Sequence, residues 1–416
     1  MSSLLIKGGE RLIGSVKANG AKNSALALLP AAILAEGTTV IDNLPAISDV
    51  ADMAAILSDL GAEVKWLGPN ELEITSTSKL EVHPPDDLVK KMRASYYFMG
   101  ALLAKVGEAH VALPGGDNIG QRPIDQHLKG FLALGAKTET QHGIVSVWAH
   151  ELKGAHIYFD VVSVGATINV MLAASMAKGN TVLENVAKEP EIVDVANFLN
   201  AMGARVKGAG TDTIKIQGVD HLAGCSHSVI PDRIEAGTFM LTAAITRGDI
   251  TVENVIPKHL EALMAKLRET GAEVLEGDDT VRVRAAERPL AVDIKTLPYP
   301  GFPTDLQAQA MALLCHCDGT SVISEGIWEK RFNHVEELNR MGADIRVEGR
   351  AAIIEGVTQL TGATVCASDI RAGAALVLAG LAAEGETVVH GVEHIDRGFE
   401  HIESKLRQLG GKIRRM

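Results

Sequence analysis

The amino-acid sequence predicts a two-domain α/β protein that is built from six copies of one structural unit. Six small-residue motifs recur at intervals of roughly seventy residues. Each motif follows a segment with helical periodicity, and strand-like segments and alanine-rich helices recur upstream of these segments. Such regular recurrence indicates a repeat architecture. The motifs are centred on Gly61, Gly135, Gly203, Gly271, Gly342 and Gly410.

Within a unit, the strand-like segment is short and rich in β-branched residues. After a short turn it is followed by a helix whose apolar residues recur every three or four positions. The glycine at the end of this helix fits the left-handed backbone conformation that closes many helices. Further strands are expected after the glycine, as at 62–66. The clearest strand-like segments are 38–43, 181–185, 251–254, 321–324 and 387–390.

The alanine-rich helices are expected at 25–35, 95–104 and 372–383, where nearly every position is apolar or small. Helices that are apolar all round are buried inside a protein. Six units in 416 residues predict two globular domains of three units each, with the third unit ending between Gly218 and Ile230. The longest apolar runs are shorter than the roughly 20 residues that cross a bilayer. Neither membrane insertion nor a signal peptide is therefore expected, and the expected location is the cytoplasm.

Composition and charge narrow the possible functions. Hydrophobic residues make up 46% and charged residues 22%, as in ordinary soluble proteins. The net charge of −12 argues against binding of nucleic acid through a basic face. No motif typical of a metalloprotease, a P-loop or a dinucleotide site occurs, so neither a metal nor a cofactor is expected. The four cysteines are predicted to be reduced thiols in the core or at helix ends rather than metal ligands: Cys225, Cys315, Cys317 and Cys366.

Basic residues occur near the starts of units, within small or apolar surroundings. A single charge at a helix start usually points into solvent. Recurrence at corresponding places in repeated units instead predicts that the cations converge, and a convergent cation cluster in an acidic protein predicts an anion site. The residues are Lys22, Arg93, Arg122, Arg331, Arg371 and Arg397.

A glycine-rich segment at 113–123 contains three glycines and two prolines in eleven residues. This composition excludes a regular strand or helix and predicts a loop. The segment is either a plain surface turn or a lid that closes over a ligand and becomes protected when substrate binds. The sequence leaves both readings open.

Together these features resemble the UDP-N-acetylglucosamine 1-carboxyvinyltransferase family of enolpyruvyl transferases over the whole chain. The matching motifs occur at 20–25, 93–95, 114–127, 163–167, 189–194, 303–309, 369–372 and 395–398. The resemblance implies the enolpyruvyl-transferase fold, a two-domain inside-out α/β barrel of six βαβαββ units with helices inside and sheets outside. It implies one domain at 22–229, which carries the lid loop 113–123, and a second at 1–21 plus 230–416. The active site is expected in the cleft between the two domains.

The resemblance also implies a reaction. The enolpyruvyl group of phosphoenolpyruvate moves to the 3′-hydroxyl of UDP-N-acetylglucosamine, and phosphate is released without metal or cofactor. This is the first committed step of peptidoglycan synthesis, on which cell shape and division depend. No protein partner is implied.

Site residues follow from the same resemblance. The expected catalytic residues are Asp117, Asp305, Lys22 and Arg397, with Asp305 as the base for the 3′-hydroxyl. Phosphoenolpyruvate is expected to contact Lys22, Asn23, Arg122, Arg331, Arg371 and Arg397. The nucleotide sugar is expected to contact Asn23, Arg93, Arg122, Pro123, Ile124, Asp125, Gln126, Val161, Val162, Ser163, Val164, Gly165, Asp305 and Ile327.

Two positions depart from the family pattern. Val161 stands where the family often has lysine, and Asp117 stands at the loop position that is usually cysteine. A carboxylic acid can donate a proton as cysteine does, but it is a much weaker nucleophile toward an epoxide. The substitution therefore predicts resistance to fosfomycin, which alkylates that cysteine.

Three alternatives remain open on the sequence. Besides the nucleotide-sugar enzyme, these are an enolpyruvyl transferase of the shikimate pathway, a paralogous transferase that acts on another nucleotide, and a catalytically silent paralogue with a regulatory role. The Lys22-Asn23 pair and the Pro-Gly-Gly loop favour the nucleotide-sugar enzyme over the first alternative. Val161 permits the second, and Asp117 is the only support for the third.

Overall fold

The computed structural model describes residues 2–77, 79–113, 115, 120 and 123–416. Their contacts divide the chain into two compact units. The middle unit contains the described residues of 20–116 and 122–230, and the terminal unit contains residues 2–19, Gly120 and 231–416. The chain therefore begins and ends in the same unit.

Strands and helices alternate along the chain, beginning with two strands of the terminal unit, β1 (Leu4–Lys7) and β2 (Ile13–Lys17). The elements of the middle unit are α1 (Lys22–Ala31), β3 (Gly37–Asp42), α2 (Ser48–Asp59), β4 (Glu63–Gly68), β5 (Glu71–Ser76), α3 (Asp86–Val89), α4 (Tyr97–Val106), β6 (Glu108–Ala112), α5 (Asp125–Ala133), β7 (Lys137–Gln141), β8 (Ile144–Trp148), β9 (His156–Tyr158), α6 (Val164–Ala174), β10 (Asn180–Glu184), α7 (Pro190–Ala201), β11 (Arg205–Lys207), β12 (Thr213–Gln217) and β13 (Ser226–Ser228).

The remaining elements belong to the terminal unit. They are α8 (Arg233–Ile245), β14 (Asp249–Glu253), α9 (Glu261–Glu269), β15 (Glu273–Glu276), β16 (Thr280–Arg284), β17 (Ile294–Lys295), α10 (Gln307–Leu314), β18 (Thr320–Ser324), α11 (Val335–Arg340), β19 (Asp344–Glu348), β20 (Ala351–Glu355), β21 (Thr364–Cys366), α12 (Ile370–Ala382), β22 (Glu386–His390), α13 (Val392–Ile395), α14 (Ile402–Gln408) and β23 (Lys412–Arg415). Short 3-10 helices occur at Ala32–Leu34, Arg93–Tyr96, Pro257–Leu260 and Thr304–Leu306.

Each unit contains three sheets among its described residues. The middle unit has the strand orders β13-β3-β5-β4, β6-β8-β7 and β11-β12-β10-β9. The terminal unit has β21-β22-β1-β23, β15-β16-β14-β2 and β17-β18-β20-β19. In five of these sheets, one parallel strand pair adjoins antiparallel pairs. The first strands of the chain complete two sheets of the terminal unit, because β1 pairs with β22 and β23 and β2 pairs with β14.

The apolar helices lie in the interior of each unit, as expected. All thirteen residues of α12 are buried, and in α1 every residue except Asn23 is buried. In the terminal unit α12 packs against α8 and α10, and in the middle unit α4 packs against α1 and α6. Strands such as β10 and β22 alternate between buried and more exposed residues, so one sheet face covers the helices and the other faces solvent. The prediction of helices inside and sheets outside is confirmed.

The six glycines that define the repeat all have a left-handed backbone. Their φ angles lie between 88° and 103°. A side chain is disfavoured in this region of φ, so glycine ends the helix at little cost in strain. The start of α1 differs from the prediction. The helix begins at Lys22, three residues before the expected start at Ala25.

All four cysteines are free thiols, as predicted, and the predicted placement in the core or at a helix end is correct for two of them. Cys315 and Cys317 are buried just beyond the C-terminus of α10, and burial raises the pKa of the Cys317 thiol to about 12. Cys225 is half-buried before β13, and Cys366 is exposed. Core burial was wrong for Cys366 because side chains alternate along a strand, and in β21 the central Val365 takes the buried face. Across the part of the chain that the structure describes, no helix is long and apolar enough to cross a membrane.

Candidate active site

Lys22 is the first residue of α1, and its side chain is almost completely buried in the middle unit. Its ammonium group lies 2.7 Å from a carboxylate oxygen of Asp49 in the first turn of α2, and the two side chains are 7% and 3% exposed. Ala21 at the N-cap of α1 provides no side-chain cap, and a helix N-terminus carries partial positive charge. This end of α1 therefore combines a lysine with a helix dipole, which is an arrangement that favours anions.

The first turn of α1 is held by a second buried carboxylate. The Ser24 hydroxyl donates to Asp194 on α7, and the other oxygen of Asp194 lies 2.8 Å from Nε2 of His227 on β13. Ser24 and His227 both bond the carboxylate and not each other, so this trio is not a nucleophilic triad. Its effect is to tie the turn that bears Lys22 and Asn23 to two other elements. Sequence reasoning missed this role, although Asp194 ends one of the recognised motifs.

Arg93 lies against an aromatic cluster in the same unit. Its Nε donates to the Tyr96 hydroxyl at 3.3 Å, and its guanidinium group lies 5.3 Å from the centre of the Tyr96 ring. The Tyr96 ring meets the imidazole of His127 edge-on, with ring centres 4.6 Å apart. A β-carbon at Gly165 would collide with the Tyr96 hydroxyl. Gly165 thus allows the first turn of α6 to approach this cluster closely.

His127 is a buried, neutral imidazole. Burial, together with the charge of Arg93, lowers its pKa to about 3. Nδ1 lies 3.0 Å from the side-chain amide nitrogen of Asn169, which donates to it, so the proton is on Nε2. Nε2 is buried and has no hydrogen-bond partner among the described residues. The sequence contained a signal for His127, since it ends the motif at 114–127, but no role was predicted for it.

The loop that precedes α6 presents two exposed valines. Val161 and Val162 are 57% and 41% exposed, and the Ser163 hydroxyl caps α6 by accepting the N–H of Ala166 at 3.3 Å. Asp160, which precedes Val161, contacts two residues of α5. Its backbone N–H donates to Gln126 at 2.9 Å, and its carboxylate lies 2.7 Å from the ammonium group of Lys129. The loop before α6 therefore presents an exposed apolar edge next to the helix N-terminus.

The residues around the start of α5 differ in their exposure. Pro123 and Asp125 are exposed and Ile124 is half-buried. Gln126 is 5% exposed, and its amide nitrogen donates to Asp125 at 2.8 Å and to Asp160 at 3.2 Å. The side chain of Gln126 thus holds the neighbouring loop in place. Asp117 and Arg122 lie outside the described residues, as does most of the predicted lid at 113–123.

In the terminal unit, two arginines enclose Asp305. One carboxylate oxygen accepts a hydrogen bond from Arg331 and the other from Arg371, each at 2.8 Å. The arginine side chains are 8% and 7% exposed, whereas Asp305 is 25% exposed. Burial alone would raise the pKa of Asp305, but the charges and hydrogen bonds of Arg371 and Arg331 outweigh it and hold the pKa well below its usual range. The carboxylate is ionised and faces solvent on one side.

Arg371, Arg397 and Ile327 occupy distinct elements of the terminal unit. Arg371 is the second residue of α12, where the Asp369 side chain caps the helix by accepting the Arg371 N–H at 2.9 Å. Arg397 is half-buried in the turn after α13. Ile327 is half-buried in the segment that follows β18. The structure therefore brings three of the predicted residues into direct contact, namely Asp305, Arg331 and Arg371.

The described residues do not form a recognisable metal site. No group of three or more His, Cys, Asp or Glu side chains is placed to hold a metal ion within residues 2–77, 79–113, 115, 120 and 123–416. What the described residues offer is a set of cations and helix N-termini. They are suited to phosphate and carboxylate groups.

Comparison with known proteins agrees with this chemistry. The family model described as EPSP synthase (3-phosphoshikimate 1-carboxyvinyltransferase) matches residues 6–406. The chain is 60% identical to UDP-N-acetylglucosamine 1-carboxyvinyltransferase 3 of Caldanaerobacter subterraneus subsp. tengcongensis, with 100% of each chain covered. It is 57% identical to UDP-N-acetylglucosamine 1-carboxyvinyltransferase of Clostridium botulinum, again with 100% of each covered.

Solved structures agree on the fold. The enolpyruvyl transferase NikO from Streptomyces tendae superimposes with a TM-score of 0.88 at 24% identity, covering 100% of this chain and 99% of that one. EPSP synthase from Acinetobacter baumannii superimposes with a TM-score of 0.78 at 19% identity, covering 100% of both. The family match and the full-length identity to curated relatives establish that the chain belongs to the UDP-N-acetylglucosamine 1-carboxyvinyltransferase family of enolpyruvyl transferases.

Proposed function

We propose that the protein transfers the enolpyruvyl group of phosphoenolpyruvate to the 3′-hydroxyl of UDP-N-acetylglucosamine and releases phosphate. The observation that carries this function is the full-length identity of 60% and 57% to relatives named for the transfer. The reaction is the first committed step of peptidoglycan synthesis. The names of these relatives favour neither a different nucleotide nor a silent regulatory role. The proposed location is the cytoplasm.

The reaction is an addition followed by an elimination, and both steps need proton transfer and charge stabilisation. In the addition the methylene carbon of phosphoenolpyruvate gains a proton and the sugar hydroxyl loses one, and in the elimination the resulting methyl group loses a proton as phosphate leaves. The phosphate and carboxylate charges must be held throughout. In the proposal, Lys22, Arg122 and Arg397 hold the anions, together with Asn23. Asp117 donates the proton to the methylene carbon.

Asp305 is the proposed base, and its two arginines define how it works. In the described state the arginines keep Asp305 ionised, which is the form a base needs, but their charges also make it a weak base. Phosphoenolpyruvate carries competing carboxylate and phosphate groups. Arg331 and Arg371 can move part of their hydrogen bonding to these anions, and the pKa of Asp305 then rises. Basicity would thus appear only when the anionic substrate is bound.

The nucleotide sugar is proposed to lie along α6 and Arg93. The N-terminus of α6 offers backbone N–H groups at Val164 and Gly165, which suit a diphosphate. Val161 and Val162 give an apolar edge to the same surface. Because Val161 brings no charge, Arg93 and the helix dipole carry the electrostatic recognition there. Contacts from residues 123–126 and from Ile327 complete the proposed set.

The test is a measurement of phosphate release from phosphoenolpyruvate with and without UDP-N-acetylglucosamine. We expect release only when both are present, together with a product whose mass equals that of UDP-N-acetylglucosamine plus phosphoenolpyruvate minus phosphoric acid. Phosphate release that does not depend on the nucleotide sugar, or transfer only to a different acceptor, would contradict the proposal.

A further inference from the structure

Glu325 is a buried carboxylate that follows β18 directly and is 2% exposed. One oxygen accepts hydrogen bonds from the Thr296 hydroxyl at 2.7 Å and from the backbone N–H groups of Ile327 at 2.8 Å and Trp328 at 3.1 Å. The other accepts the Thr304 hydroxyl at 3.0 Å. Four donors replace the water that this carboxylate loses on burial. They lie on three segments of the chain, which Glu325 joins into two arms, one on each carboxylate oxygen.

The first arm consists of Thr296 and the segment 326–328. Its amides at Ile327 and Trp328 both point at Glu325, and the Gly326 N–H donates to the Thr296 hydroxyl at 2.8 Å. Because three successive N–H groups converge on one carboxylate and its threonine partner, the backbone conformation here depends on Glu325. This segment includes Ile327, which is expected to face the nucleotide sugar.

The second arm leads to Asp305. A hydroxyl group has one proton, and Thr304 gives it to Glu325, which leaves the Thr304 oxygen as an acceptor. Nη1 of Arg331 donates to this oxygen at 2.8 Å, and Nη2 of the same guanidinium donates to Asp305 at 2.8 Å. Glu325 thus fixes the direction of the Thr304 hydroxyl. That direction in turn fixes the guanidinium that binds Asp305.

We propose that Glu325 is a positioning residue for the transfer reaction. It sets the backbone at Ile327 and, through Thr304, orients Arg331 toward Asp305. This role rests on the proposed function, from which the roles of Ile327 and Asp305 come. Glu325 couples a substrate-binding segment to the proposed base without contact with the reacting atoms.

Substitution of Glu325 by glutamine separates the two arms. The remaining oxygen of the amide can still accept the three donors of the first arm. The new amide nitrogen faces the Thr304 hydroxyl, which already accepts from Arg331, so the hydroxyl proton loses its acceptor. For Glu325→Gln we expect kcat to fall about tenfold, while KM for UDP-N-acetylglucosamine stays within about twofold.

Substitutions of Thr304 break the second arm from its other end. Thr304→Val removes the shared hydroxyl and should lower kcat as Glu325→Gln does, whereas Thr304→Ser keeps the hydroxyl and should restore the rate. Both substitutions remove the same hydrogen bond between Thr304 and Glu325. The kcat of the double variant Glu325→Gln with Thr304→Val should therefore fall no further than that of the more impaired single variant. A purely structural contribution would give additive losses instead.

Glu325→Ala removes the acceptor for both arms, so KM for UDP-N-acetylglucosamine should rise as well as kcat falling. Hydrogen exchange of the amides at 326–328 should accelerate in Glu325→Ala and stay unchanged in Glu325→Gln. A matched control is Glu355→Gln on β20, where an exposed carboxylate accepts the Thr320 hydroxyl of β18 at 2.8 Å. This variant should keep both kinetic constants.

The outcomes separate this role from the function on which it rests. A wild-type protein without phosphate release would refute the proposed function. An active wild type would refute the role of Glu325 if Glu325→Gln kept the normal kcat, or if the losses in the double variant were additive. The role of Glu325 would be supported if Glu325→Gln and Thr304→Val both lowered kcat and the double variant showed no further loss. Thr304→Ser should then keep the normal kcat.

Discussion

Replacing Asp49 by asparagine removes the carboxylate that lies 2.7 Å from the ammonium group of Lys22. The side chains are 3% and 7% exposed, so water has little access to take over the lost interaction. Asparagine has nearly the same size and can still accept a hydrogen bond, but it carries no charge. We expect the variant to be less stable than the wild type and to bind anions near Lys22 with a larger gain in stability.

The magnitude follows from the geometry of the pair. Two unit charges 2.7 Å apart attract by roughly 6 kcal/mol at an effective dielectric constant of about 20, and desolvation offsets part of this. Removing one partner of a buried ion pair typically destabilises a protein by about 3–5 kcal/mol. Because asparagine retains a hydrogen bond, we expect the lower end, about 3 kcal/mol. In a domain of this size the melting temperature then falls by roughly 6–12 °C.

The assay is thermal unfolding with and without inorganic phosphate or phosphoenolpyruvate. An anion that binds only the folded state raises the melting temperature in proportion to its affinity and concentration. In Asp49→Asn the ligand also supplies the missing negative charge beside Lys22, so the increase should exceed that of the wild type. The matched control is Asp52→Asn on the same helix, whose partner Lys91 lies 3.1 Å away and is 52% exposed. That variant should lose less than about 1 kcal/mol.

Two results would refute this reasoning. If Asp49→Asn and Asp52→Asn melted within about one degree of each other, the buried pair would contribute no more than an exposed one. If phosphate stabilised both variants equally, Lys22 would not be the group that meets the anion.

Further predictions concern the base, the loop carboxylate and acid stability. Asp305→Ala should abolish phosphate release while calorimetry still detects both substrates; near-normal rates would show that another group is the base. The wild type should stay active in fosfomycin and Asp117→Cys should be inactivated with a covalent mass increase, whereas rapid inactivation of the wild type would place Asp117 elsewhere. The pKa of His127 falls from 6.5 to about 3 on folding, so its contribution to stability is complete above pH 6.5 and is lost as the pH falls toward 3. In urea unfolding between about pH 6 and 4, His127→Gln should reduce the loss of stability by up to about 1.4 kcal/mol per pH unit.

The repeat architecture could be predicted because its signals are local. A glycine at a helix end reports a backbone angle at that residue, and the six glycines all have positive φ. Apolar residues on every side of α12 report burial whatever the neighbouring helix is. The exposed Cys366 shows the limit of this reasoning, because the buried face of a strand depends on which side the helices cover.

The candidate site was predicted only as a set of residues. Lys22, Asp305 and Arg371 follow from motifs, and Arg331 follows from the recurrent basic residues, but their partners do not. Arg331 and Arg371 are 26 and 66 positions from Asp305 along the chain, and nothing in the local sequence indicates that they share its carboxylate. The same holds for Asp49 beside Lys22.

The sequence by itself determined the six repeated units, the buried helices and the family, because helix ends, periodicity and motifs depend on residues that are close together in the chain. Only the tertiary structure decided which charges meet. An ion pair such as Asp305 with Arg331 and Arg371, or a buried carboxylate such as Glu325 with its four donors, forms when packing brings distant segments within hydrogen-bond distance and removes the water between them.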